Sequence, residues 1–110
     1  MITYEDFSKI DIRAGIVVKT EEFPRARNPA YKVWVDFGHD IGVKATSAQI
    51  TKIYTLDNLL GRKVLGVVNI GQRNIAGFLS NFLLLGFPDK EGRVHLAGYD
   101  DNSVQGARLC

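Results

Sequence analysis

The stretch Tyr31-Lys32-Val33-Trp34-Val35-Asp36-Phe37-Gly38 decides the fold. Tyr31, Val33, Val35 and Phe37 alternate with Lys32, Trp34 and Asp36, and a period of two sends one set of side chains to each face of a strand. Gly38 to Gly42 reads as a turn into another strand, Val43 to Thr46. Upstream, Ile12, Ala14, Ile16 and Val18 alternate with Arg13, Gly15, Val17 and Lys19, giving a strand before it, and the proline-bounded Glu21 to Pro29 is the loop between the two.

Outward from these three strands the rhythm changes. Thr3 with Asp6 three residues on has the form of a helix start, with Phe7 and Ile10 on one face of a short helix. Over Ser47 to Leu60, Ile50, Ile53 and Tyr54 take helical spacing, Thr55 can cap a further turn, and Gly61 is a stop. Lys63 to Asn69 reads as a buried strand and Asn69 to Gly77 as a loop. Phe82 to Leu85 is a short apolar strand, Pro88 to Gly92 a turn, Arg93 to Ala97 a strand, and Gly98 to Gly106 a polar tail. Three strands, a helical insertion, then two or more strands is the order of an all-β OB-fold. That is a five-stranded Greek-key barrel with its helix between strands three and four, here preceded by a short N-terminal helix.

At 110 residues the chain has the size of a single domain, 1–110, and 45% hydrophobic with 24% charged residues is ordinary for a globular fold. Val64 to Val68 and Phe82 to Leu85 are the longest apolar runs, far short of the roughly 20 residues that cross a bilayer. Met1 to Ile10 carries Glu5 and Asp6 and does not resemble a secretory signal, so a cytoplasmic location is expected. Cys110, His39 and His95 cannot supply a four-ligand zinc site, and no metal or cofactor is expected.

Net charge is +2, but its distribution is uneven. Residues 41–80 hold Lys44, Lys52, Arg62, Lys63 and Arg73 against Asp57 alone, and Arg25, Arg27 and Lys32 cluster about the first loop. In an OB-fold, strands two and three with the first and last inter-strand loops form the usual oligonucleotide site. Arg25, Arg27 and Arg73 fall on those loops, so a basic face for phosphate-bearing partners is expected, the alternative being scattered solvated charges.

Catalysis has little behind it. His39 lies in a turn and His95 on a strand, the carboxylate pairs Glu21–Glu22 and Asp100–Asp101 lie in polar segments, and the glycines match no phosphate-loop spacing. Trp34 shares its strand face with Lys32 and Asp36, where it could stack a base or fill a partner's pocket, or be a core residue or a subunit contact. Phe78, Phe82 and Phe87 stand among Leu79 and Leu83 to Leu85, more carbon than a small barrel buries, which points to an interface with a like subunit or an apolar peptide.

Longer motifs carry a resemblance. Phe23-Pro24-Arg25-Ala26-Arg27-Asn28-Pro29-Ala30-Tyr31-Lys32, Asp36-Phe37-Gly38, Ile41-Gly42-Val43-Lys44, Ser47-Ala48-Gln49-Ile50-Thr51, Val68-Asn69, and Ile75-Ala76-Gly77-Phe78 followed by Ser80 together resemble the CsaA proteins. These are stand-alone members of the tRNA-binding-domain family, which also occurs fused to aminoacyl-tRNA synthetases. The resemblance spans about residues 7–108 and implies an OB-fold homodimer that binds tRNA and acts as an export-related chaperone for unfolded polypeptides. It implies RNA contacts by Arg25, Arg27, Lys32, Asn69, Arg73 and Ser80; the charge distribution adds Lys44, and the aromatic and apolar pattern makes Trp34, Phe78, Leu79 and Phe82 candidates for a peptide groove or dimer seam. Two stretches depart from the family pattern. Gly71-Gln72-Arg73-Asn74 stands where relatives look like Pro-Pro-Arg-Arg, and Leu79-Ser80-Asn81 stands for Lys-Ser-Glu, which removes two bases from the groove and adds apolar surface.

Overall fold

The computed structural model describes residues 1–110. Helix α1 (Tyr4–Ser8) starts as the sequence predicts: Thr3 Oγ1 accepts from the Asp6 N–H and Asp6 Oδ2 accepts from the Thr3 N–H, both at 3.1 Å. The strands follow as β1 (Ile12–Glu22), β2 (Tyr31–Asp36) and β3 (Val43–Ala48), then helix α2 (Leu56–Leu59), then β4 (Lys63–Val67). Five short strands complete the chain: β5 (Arg73–Ile75), β6 (Phe78–Ser80), β7 (Leu83–Leu84), β8 (Gly86–Pro88) and β9 (Val94–Leu96).

The main sheet, ordered β3-β2-β1-β4-β7, curls into a nearly closed antiparallel barrel of OB type. Its strand β2 is as expected, with Tyr31, Val33, Val35 and the following Phe37 all buried. Strand β1 departs from simple alternation. Val17 is 2% exposed and Val18 47%, because the register with β2 slips between Val17 and Lys19 and Val18 becomes the extra residue of a bulge. That kink lets one strand pair β4 through Ile12–Ile16 and β2 through Ile16–Glu22, so Glu21 and Glu22 belong to the strand rather than the loop.

Inside, Phe37 and Phe82 meet edge-on at 5.1 Å over a floor that is almost bare backbone. A methyl group on Gly66 would stand 2.7 Å from Phe37 and 2.8 Å from Phe82, and one on Gly15 would overlap Val35 and Phe37. Helix α2 is a single turn, shorter than the spacing of Ile50, Ile53 and Tyr54 predicts. Ser47 and Ala48 remain in β3, and Thr55 and Asn58 form the capping box that starts α2, with Gly61 at φ +78° after it. The helix drops the fully buried Leu59 into the core as a plug.

The barrel's last seam, between β3 and the segment after β6, is closed by one residue. The Asn81 N–H donates to the Ala45 carbonyl at 2.8 Å while the Ala45 N–H donates to Asn81 Oδ1 at 2.9 Å, so a side chain imitates a strand. The polar tail is ordered as well. Ala14 exchanges backbone hydrogen bonds with Gly106 and Ala107, Leu109 N–H donates to the Ile12 carbonyl, and Tyr99 Oη donates to the Gly15 carbonyl at 3.0 Å. The tail thus covers the edge of β1 that β2 leaves free. Burial raises the Tyr99 hydroxyl above the usual phenol range, partly offset by Lys63, whose ammonium lies 5.7 Å from its ring.

Candidate nucleic-acid interface

Strands β5 and β6, which the sequence reads as loop up to Gly77, form a hairpin with Ala76 and Gly77 at its tip, at φ +50° and +86°. Positive φ at both central positions gives a turn whose twist matches its strands. Asn74 Oδ1 accepts from the Gly77 N–H at 2.9 Å and fixes it. This hairpin leans over the outer face of β2. Phe78 contacts Trp34 edge-on at 5.7 Å and Phe23 edge-on at 5.6 Å, and the Lys32 ammonium lies 5.0 Å from the Phe23 ring centre and 5.1 Å from that of Phe78. Lys19 lies 4.6 Å over Trp34. The result is an alternation of cations and rings from β1 across β2 to the hairpin.

Between the first loop and the hairpin tip lies a cavity of about 210 Å³, walled by Phe23, Pro24 and Arg25 on one side, Ala76, Gly77 and Phe78 on the other, with Lys32 between. Arg25 therefore faces the hairpin that carries Arg73. Arg73, opposite Ser80 in the hairpin ladder, is two residues below Ile75, or about 7 Å along the strand. Arg27 is exposed on the same loop.

The cations of the first loop and the hairpin are free of ion pairs. Lys9, Arg13, Lys19, Lys63, Arg93 and Arg108 each have a carboxylate within 4.0 Å, whereas Arg25, Arg27, Lys32 and Arg73 have none, as do Lys44, Lys52, Arg62 and Lys90 elsewhere on the surface. An unpaired guanidinium keeps its donors for an incoming anion.

Other expected site residues sit elsewhere. Lys44 pairs with Val35 and keeps the inward phase of Thr46 and Ala48, which puts it at the end of the barrel rather than beside Lys32 and Trp34. Asn69 uses its amide within the chain: Oδ1 accepts from the Asp11 N–H at 2.9 Å and Nδ2 donates to the Lys9 carbonyl at 2.8 Å, tying the end of β4 to the start of β1. Next to that tie, the hydrogen bond from Arg13 holds the Asp11 carboxyl below the usual carboxylate range, burial opposing it. Ser80 is buried, with its hydroxyl 2.8 Å from that of Thr46, so it braces the hairpin to β3. Phe82, at 3% exposure, is core and lines no surface groove. Leu79 is 55% exposed and Phe78 and Trp34 are half-buried. Sequence reasoning overlooked Phe23 and Lys19 as members of the site. Their partners lie on other strands, so no local spacing reveals them.

Residues 12–108 match the tRNA binding domain family. The chain belongs to that family. This tRNA-binding domain is similar over its full length to the CsaA chaperone protein of Picrophilus torridus, with 44% identity, a TM-score of 0.92 and 100% of both chains covered. It is also similar to the chaperone CsaA of Bacillus anthracis str. Ames, at 39% identity and TM-score 0.91, over 100% of this chain and 99% of that one. Among curated sequences the methionine–tRNA ligase of Thermococcus onnurineus is 34% identical over 108 residues, 98% of this chain but only 14% of the ligase. The chain thus spans about one seventh of the length of the ligases it matches. No helix is long and apolar enough to cross a membrane.

Proposed function

We propose that this domain binds tRNA by laying the phosphate backbone along the rim where the first loop meets the β5–β6 hairpin. Arg25, Arg27, Lys32 and Arg73 supply the charge, and Trp34 and Phe78 hold Lys32 and the hairpin in place. One observation supports the reading: Arg25 and Lys32 line one cavity between the first loop and the hairpin tip, and neither they nor Arg27 and Arg73 on that loop and hairpin have a carboxylate partner. Phosphate contacts supply affinity and little sequence information, which suits a fold that recognises RNA by shape. Lys44 lies outside this rim and adds only to the general field. A tRNA partner makes the cytoplasm the working location.

A second reading, holding unfolded or export-destined polypeptide, is favoured by a different feature. An apolar groove of about 270 Å³ runs between Ser47–Ile50 and Leu83, Leu84, Val94 and Leu96, with Leu83 46% exposed beside it. For a like-subunit contact, the face of Ile2, Tyr4 and Phe7 is better placed than Phe82, since Ile2 is 72% and Tyr4 94% exposed.

The test is a titration with tRNA and with an unfolded polypeptide across salt concentrations, with mass measured by light scattering. Phosphate binding weakens steeply with salt, whereas apolar capture tolerates it. Affinity for tRNA that falls along a linear log–log line supports the first reading. Salt-tolerant capture of polypeptide with no tRNA binding replaces it with the second.

A further inference from the structure

We propose that the cavity between the first loop and the hairpin tip receives one unpaired nucleobase of the bound RNA, a role that rests on the RNA reading above and names what enters this part of the rim. Size sets the first limit. At about 210 Å³ the space is below the roughly 300 Å³ at which pockets accept drug-sized ligands. The space is of the order of a single ring system.

Chemistry sets the second limit. A site for phosphate alone needs only donors, yet here Phe23, Pro24 and Phe78 contribute carbon walls beside the Arg25 and Lys32 cations. Phe78 is half-buried and gripped edge-on by Phe23 and Trp34, so its ring is already ordered and a base stacking on its open part costs little side-chain entropy. Lys32 hovers near both rings and Arg25 is unpaired, so each can take the phosphate flanking the base while Arg25 can also stack on it.

The remaining wall is the backbone of the tip, where the Gly77 N–H is held by Asn74 and Ala76 is free. Ala76 lies between the two strands of the hairpin, and neither its N–H nor its carbonyl makes a hydrogen bond within the chain. Gly77 has open space where a side chain would start, so the edge of a base can approach the peptide groups of the tip. Ala76 also holds a φ of +50°, in the left-handed region that side-chain-bearing residues disfavour. Such strain collects where a loop shape is needed for contact. A duplex keeps its bases inside the stack and cannot fill this cavity; a loop or single strand can.

The experiment measures fluorescence anisotropy of the whole protein with three RNAs of equal phosphate count: oligoadenylate, the same ribose-phosphate backbone without bases, and a blunt duplex of half their length. Oligoadenylate should bind about tenfold more tightly than the abasic strand, the worth of one stacked base. Phe78→Leu, which keeps the packing and removes the ring, should erase that difference while leaving the slope of affinity against salt unchanged. Equal binding of the base-bearing and abasic strands, both steeply salt-dependent, overturns the base site and leaves the RNA reading standing. No salt-dependent binding to any of the three ends both. Should Phe78→Leu fail to fold, the comparison of the first two RNAs on the unaltered protein still decides.

Discussion

Around β8 and β9, Asp89 Oδ2 accepts from Arg93 Nε and from His95 Nε2, both at 2.9 Å, its Oδ1 accepts from the Glu91 and Arg93 N–H groups, and Arg93 reaches Glu91 Oε2 at 2.8 Å. Around the first loop and the β5–β6 hairpin, Arg25, Arg27 and Arg73 touch no carboxylate, and Lys32 leans on two rings instead. Both regions are hairpin or loop structures that carry basic side chains at the surface of one barrel. In one the charge is consumed in shaping the turn, and in the other the turn is shaped by Asn74, glycine and aromatic packing, which leaves the charge available. What separates a structural cation from a ligand-binding one is whether the fold has already given it an anion.

The largest effect tests the frame that both regions share. Phe82→Ala should destabilise the protein by about 3–5 kcal/mol in urea unfolding, as a core phenylalanine does. A loss below about 1 kcal/mol, with polypeptide capture impaired, would return Phe82 to a surface groove. Next, the triple change Arg25→Ala, Arg27→Ala, Arg73→Ala should lower tRNA affinity on the order of a hundredfold at low salt and flatten the log–log salt dependence by roughly three units, while Arg93→Ala leaves the slope as it is. Equal effects of the two would dissolve the contrast between the regions. Ser80→Ala removes the partner of Thr46 and should cost about 1–2 kcal/mol of stability without changing tRNA affinity, as measured by thermal unfolding beside a mobility shift.

The smallest effect is acidic and belongs to the β8–β9 hairpin. The His95 bond, with help from the Arg93 and Glu91 N–H groups and the Arg93 side chain against some desolvation, draws the Asp89 carboxyl down to about 2. A carboxyl depressed in the folded state stabilises fully above its unfolded value of about 3.9 and loses that contribution as pH falls through its folded value. The gap in melting temperature between the unaltered protein and Asp89→Asn should therefore be widest above pH 4 and close between about pH 4 and 2.

Much of the frame was legible in the sequence because local rules govern it. The Tyr31–Phe37 alternation, the Thr3–Asp6 capping box and the stop at Gly61 each rest on neighbours within a few residues. The basic first loop was legible because prolines and charge mark it. What escaped depends on distant pairing. The β5–β6 strands are three residues each, too short for a period, and their Ala76-Gly77 turn lacks the usual asparagine signal. The bulge at Val18 reverses which valine faces inward, and no local pattern marks the slip. Asn69 and Ser80 look like ligand donors in the family motif, yet their hydrogen bonds run to Asp11, Lys9 and Thr46, residues far off in the chain.

The most direct test of the central claim is a map of amide chemical-shift changes in the isotope-labelled protein as tRNA is added at low salt. Changes concentrated in residues 23–32 and 73–79, with 86–96 silent, are the expected result. Changes concentrated in the β8–β9 hairpin, or spread evenly over the barrel, would contradict it.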